Sequence, residues 1–92
     1  MSLRFEWHDR KAVANRRKHG IAFEEASTVF GDSFSITIYD PVHSIAEERF
    51  ITIGMSNRNR LIVTVHTDRN NTIRIISARR AAGKEIKQYK RD

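Results

Sequence analysis

From residue 34 onward apolar and polar positions alternate. Phe34, Ile36 and Ile38 are interleaved with Ser35, Thr37 and Tyr39, which predicts a strand. Arg49 to Ser56, Leu61 to Thr67 and Ile73 to Arg79 predict three more, separated by the turn stretches Ser56-Asn57-Arg58-Asn59 and Asp68-Arg69-Asn70-Asn71. Such short connections make antiparallel neighbours. The single proline, Pro41, marks the middle of the one long loop. Before residue 34 the period is helical. Arg4 to Trp7 reads as a short edge strand, and Asp9 as the N-cap of a helix from Arg10 to His19 that stops at Gly20. Phe23, Ala26, Ser27 and Phe30 share one helix face and predict a second helix ending at Gly31, with a weak start because Ala22 cannot cap. Ala82, Ile86 and Tyr89 form the narrow apolar stripe of a last helix, whose first turn Gly83 weakens.

The predicted order is β-α-α-β-β-β-β-α. It defines an α+β fold: a single antiparallel sheet of four to five strands, helices packed on one face and the other partly open. A chain of 92 residues has room for one core, so residues 1–92 are read as a single domain, with 1–3 as an expression scar or disordered start. Register decides what the open face carries. Placing Val63 and Val65 with Ile73 and Ile75 maximises burial, and then puts His66 and Arg74 together on the far face. Arg79 would share the Ile75 side and reach around the rim from the strand end.

Charge sharpens the picture. The net charge is +6, but Lys and Arg are absent between residues 19 and 48, which carry Glu24, Glu25, Asp32, Asp40, Glu47 and Glu48. Residues 10–18 hold five cations and no acid. Residues 73–91 hold Arg74, Arg79, Arg80, Lys84, Lys87, Lys90 and Arg91 against Glu85 alone. This polarity suits a polyanion, nucleic acid foremost; a surface charged only for solubility is the plainer alternative. There is no cysteine, and no run of apolar residues long enough to span a bilayer, which together predict a soluble cytoplasmic domain.

Three arginines within seven residues, Arg74, Arg79 and Arg80, offer planar donor forks to phosphate, or else pair with Glu47, Glu48 or Glu85. Arginine holds its proton, so proton transfer falls to histidine. His66 lies in a strand, His19 ends the first helix, and His8 and His43 are loop residues. Lys11, Asn15 and Lys18 form a stripe on one helix face, either solvated or facing backbone phosphates. Asp40, His43, Glu47 and Glu48 are potential ligands on one loop, but their spacing matches no defined metal site, and neither metal nor cofactor is expected.

Two stretches, "FEWHDRKAVANRRKHGIAFEEA" and "RFITIG…LIVTVHT…IRIISARRA…E…Y", resemble the BrnT family, the toxin half of a type II toxin–antitoxin pair. The likeness covers nearly the whole chain after residue 3. Its most specific parts are the "RIISAR" strand, with Glu85 and Tyr89 following at helical spacing, and "KHG" before "FEEA". Ala22 departs from a family Ser or Thr, and Gly83-Lys84 from a more helical pair. The resemblance implies a RelE-like fold, endoribonucleolytic cleavage of messenger RNA and arrest of growth. It also implies a BrnA-type antitoxin that binds DNA and represses the shared operon, with the toxin a homodimer or part of a heterotetramer. Carried over by position, it points to Lys11, Lys18, His19, Arg49, Arg74, Arg79, Glu85 and Tyr89. The combined expectation is catalysis by His19, Arg49, His66, Arg74, Arg79 and Tyr89, with RNA held by Lys11, Lys18, Arg80 and Lys84. A non-catalytic module that binds nucleic acid or docks an acidic protein would use the same basic face.

Overall fold

The computed structural model describes residues 3–90; Arg91, counted among the cations above, lies outside them, as do Met1 and Ser2. The elements are β1 (Arg4–Trp7), α1 (Asp9–His19), α2 (Phe23–Ser27), a 3-10 turn (Thr28–Gly31), β2 (Ile36–Asp40), β3 (Arg49–Met55), β4 (Leu61–Arg69), β5 (Thr72–Arg80) and α3 (Gly83–Lys90). Their order is the expected one. The five strands form one sheet, β1-β5-β4-β3-β2. It is mixed rather than antiparallel, because β1 pairs parallel to β5, with Phe5 opposite Ile73 and Trp7 opposite Ile75. The long crossover through α1, α2 and the hairpins is what lets the first and last strands run the same way.

Local chemistry explains the element ends. His8, not Asp9, occupies the N-cap of α1, so Asp9 sits in the first turn, where its charge complements the helix dipole. Gly20 closes the helix in the left-handed region at φ 73° and donates its N–H to the Arg16 carbonyl at 2.8 Å. The predicted second helix is one α-helical turn continued by a 3-10 turn, and Ala22 makes no side-chain cap.

Ile21, Phe23, Ala26, Val29, Ile62, Ile73, Ile75 and Ala78 form the core between α2 and the sheet. Each large side chain buried there contributes about 1.5–3 kcal/mol. Gly54 lies under the 3-10 turn, where a Cβ would meet Val29 and Ser35 at 3.1 Å. By contrast, α1 has one buried residue, Asn15. Its amide accepts the Ala78 N–H at 3.0 Å and donates to the carbonyls of Ala78 at 2.8 Å and Ile21 at 3.0 Å. Asn15 thus pairs the rim of β5 where β1 has already ended, and belongs to the packing rather than to a phosphate-facing stripe. Glu25 is buried too; Ser56 donates to it at 2.7 Å and Arg60 binds it through Nε at 2.9 Å, tying α2 to the β3–β4 turn.

The expected register does not occur. Val65 lies opposite Ser77, but His66 lies opposite Ile75, so β5 carries one extra residue, Ile76, as a bulge. His66 therefore points into the core with Ile73 and Ile75, while Val63 and Val65 share the other face with Arg79 and Ser77. The sequence favoured the opposite choice because Val63 and Val65 are more apolar than Thr64 and His66. In the fold His66 is satisfied by a chain of hydrogen bonds, Thr37 to Thr52 at 2.9 Å, Thr52 to His66 Nε2 at 2.7 Å, and His66 Nδ1 to Asp68 at 2.6 Å, while Thr64 is buried without a partner for its hydroxyl.

Candidate nucleic-acid interface

Cross-strand partners share a face of a sheet. Arg74 pairs with Thr67 and with Glu6, Arg79 with Val63, and Arg49 alternates with Ile51 and Ile53, which pair with Val65 and Val63. Arg49, Arg74 and Arg79 therefore project from one face, away from α1 and α2. At one end α3 crosses this face, not the face of the other helices. Glu85 holds it there by accepting from both Arg79 guanidinium nitrogens at 3.1 Å, while also accepting the Ala82 N–H at 2.7 Å to cap the helix. These bonds hold the Glu85 carboxyl below its ordinary pKa, the Arg79 bond foremost. Tyr89 anchors the other end by donating to Asp32 at 2.6 Å.

Beside this face, where β1 ends, Lys11, Lys18 and His19 of α1 line a groove of about 220 Å³ together with Ile76 and Ser77. The bulge thus faces the cations of α1, between Arg74 and Arg79 in the strand. At rest the guanidiniums are paired but not locked. Arg74 meets Glu6 at 3.0 Å, with both side chains more than two-fifths exposed, whereas Arg79 is 43% exposed but its partner Glu85 only 16%. An exposed pair such as Arg74–Glu6 contributes at most about 1 kcal/mol, whereas the two-pronged Arg79–Glu85 pair is held more firmly.

Three expected members, His66, Arg80 and Tyr89, do not join this constellation as anticipated. His66 is 1% exposed on the opposite face, edge-on to Phe30 and stacked on Phe50. Burial pushes its pKa down, and Asp68 offsets this only in part. Arg80 pairs with Ile62 and leaves from the helix-packed side, so the predicted three-arginine clamp is a pair. Tyr89 sits by a carboxylate rather than cations; its bond to Asp32, then burial, raise the phenol pKa instead of lowering it. Lys84 is exposed in the first turn of α3, next to Glu85. Of the loop acids, Asp40 pairs with His43 at 2.8 Å and Glu47 approaches Arg69 at 3.6 Å; no group of three potential metal ligands converges among the described residues. Glu6, Thr67 and Ser77 were not anticipated. The alternation of Phe5 and Trp7 marks Glu6 as outward, but only the parallel pairing brings it to Arg74.

Fold and face together define a small basic α+β domain with three arginines on one face of its sheet. The family model described as the ribonuclease toxin, BrnT, of type II toxin–antitoxin systems matches residues 7–85, and the chain belongs to that family of ribonuclease toxins. The fold is similar to the crystal structure of the Brucella abortus ribonuclease toxin, BrnT, with a TM-score of 0.63 and 21% identity, over 88% of this chain and 99% of that one. No curated protein matches the chain. Family membership implies an RNA substrate and an antitoxin partner. Among the described residues, no helix is long and apolar enough to cross a membrane.

Proposed function

We propose that the arginine face binds single-stranded messenger RNA and cleaves it endonucleolytically in the cytoplasm, arresting translation and growth. The observation that carries this reading is the placement of Arg49, Arg74 and Arg79 on one face of the sheet, opposite to α1 and α2 and beside the groove of Lys11, Lys18 and His19. RNA brings its own nucleophile, the 2′-hydroxyl. Attack on the adjacent phosphate gives a 2′,3′-cyclic phosphate and frees the 5′-oxygen of the next nucleotide. The protein must hold the attack in line, neutralise the phosphorane and move two protons. Arg74 and Arg79 neutralise charge as they exchange Glu6 and Glu85 for phosphate oxygens, each well-placed donor contributing about 3–4 kcal/mol to the transition state. Lys11 and Lys18 hold the flanking backbone. His19, lining the groove, is the proton-transfer group; His66 is buried behind the sheet, and the raised pKa of Tyr89 disfavours it as a base.

A BrnA-type antitoxin covers this face in the resting cell. The test is incubation of the purified protein with end-labelled RNA in EDTA. Discrete products with 2′,3′-cyclic phosphate ends are expected. Cleavage lost in EDTA and restored by magnesium would overturn the metal-free mechanism, and binding without products would leave a non-catalytic module.

A further inference from the structure

Among the described residues, three buried side-chain polar atoms have no hydrogen-bond partner: Arg49 Nε, Thr67 Oγ1 and Thr64 Oγ1. The first two belong together. Thr67 lies opposite Arg74, and one step beyond the Phe50–His66 pair the same register brings Arg49 beside Thr67. Arg49, Thr67 and Arg74 thus form a row across β3, β4 and β5 on the arginine face. Thr67 is 3% exposed. A buried hydroxyl without a partner costs free energy, and two unpartnered donors side by side between two guanidinium groups lack an acceptor.

We propose that this row is a phosphate subsite for RNA, in which the Thr67 hydroxyl and Arg49 Nε donate to the non-bridging oxygens of one phosphodiester while Arg74 takes the same group from the other side. The inference rests on the reading of this face as the RNA site and adds a neutral positioning residue to it. Both atoms are out of solvent contact, so the phosphate enters as the Arg49 side chain swings aside. Arg49 also lines a pocket of about 310 Å³ under the loop residues Val42, Ile45 and Glu47, where it has room to move. Thr64 is the internal control: it is equally buried and unpartnered, but faces the helix-packed side with Ala78.

The experiment compares Thr67→Val and Thr64→Val for thermal stability, for cleavage of an RNA oligonucleotide, and for affinity to its uncleavable 2′-O-methyl counterpart. Valine keeps the shape and removes the hydroxyl, so both variants should melt a few degrees higher than wild type. Only Thr67→Val should bind about tenfold more weakly. Its loss should be the same at every salt concentration, because no charge is removed. Arg49→Lys, which keeps the charge but lacks the Nε donor, should lose a similar factor and keeps the test open if Thr67→Val does not fold. Wild-type affinity in both Thr67→Val and Arg49→Lys would overturn the subsite. So would Thr67→Val that melts lower and binds normally, since the hydroxyl would then serve the fold through a bound water. If Arg74→Ala also cleaves at the wild-type rate, the fault lies with the RNA face itself, not with this row.

Discussion

Arg74 and Arg79 project from the same face of the sheet although they stand five positions apart on one strand. Regular alternation would send an odd separation to opposite faces. The bulge at Ile76 absorbs one residue and restores the match, while leaving Arg80 on the far side.

This geometry predicts a sharp difference between neighbours. Arg74→Ala and Arg79→Ala should each lower the cleavage rate by about 10²–10³-fold. Arg74→Ala should lose no more than about 1 kcal/mol of stability, because its pair with Glu6 is exposed, and Arg79→Ala about 1–3 kcal/mol, because it leaves the largely buried Glu85 carboxylate without its two-pronged partner. Arg80→Ala, one residue away, should cleave nearly as well as wild type. Single-turnover kinetics on the three variants, with melting curves as the folding control, decide the matter. Equal losses at Arg79 and Arg80 would show that the strand does not sort them by face.

The buried His66 makes stability depend on pH. Its folded pKa lies below the ordinary 6.5, chiefly from burial, with the Asp68 contacts opposing. Between that lowered value and about 6.5, the unfolded chain therefore holds a proton that the folded chain does not. Stability rises with pH across this window and is lost on acidification, by at most about 1.4 kcal/mol per pH unit. Glu25 and Glu85, held below their ordinary 4.5 chiefly by Arg60 and Arg79, add a separate loss only at lower pH. His66→Phe, placed between Phe30 and Phe50, should flatten the upper limb and leave the lower one. Melting temperature as a function of pH for both proteins is the measurement. An unchanged upper limb would assign it to another group.

Asn15 fastens α1 to Ala78 of β5 with two hydrogen bonds and holds the α1–α2 connection with a third to the Ile21 carbonyl. Asn15→Ala leaves those buried groups of Ala78 and Ile21 unpaired and should cost about 3 kcal/mol. Asn15→Asp should fare little better, since a carboxylate cannot donate to the two carbonyls. Denaturant unfolding gives the number, and a cost under about 1 kcal/mol would mean that water takes over the bonds.

Much of this was legible in the sequence, and the failures share a cause. The element order follows from local signals: the change of period near residue 34, Gly20 as a helix stop, and the turn residues at 56–59 and 68–71. What faces what does not, because both sides of β4 are partly apolar, and one bulged residue inverts every inference drawn across it. Hence the sequence discloses Arg49, Arg74 and Arg79 as residues, but not that His66 lies on the core face and Arg79 on the opposite one. The parallel pairing of β1 is equally invisible locally, since no turn connects it to β5. Glu6 and Thr67 went unseen because they acquire meaning only beside Arg74.

The face proposed to bind RNA should also be the one the antitoxin covers. Arg49, Arg74 and Arg79 need carboxylates, and Glu6 and Glu85 already show how a carboxylate meets two of them. A docking segment of the antitoxin should therefore carry Asp and Glu in the places that Glu6 and Glu85 now hold, with an apolar residue against Ile86, which is 36% exposed on α3. Arg80 drops out of this set by its orientation, and Tyr89 is committed to Asp32. Complementary charge should speed encounter, while the apolar contact sets residence time, so raising salt should lower the association rate more than it raises the dissociation rate. With both on this face, antitoxin and RNA should compete for the same guanidinium groups. Titrating 2′-O-methyl RNA into the purified complex should release antitoxin, and Arg74→Ala should weaken both interactions. A complex that binds and cuts RNA at the free toxin's rate would place the antitoxin on another surface and leave inhibition to a different mechanism.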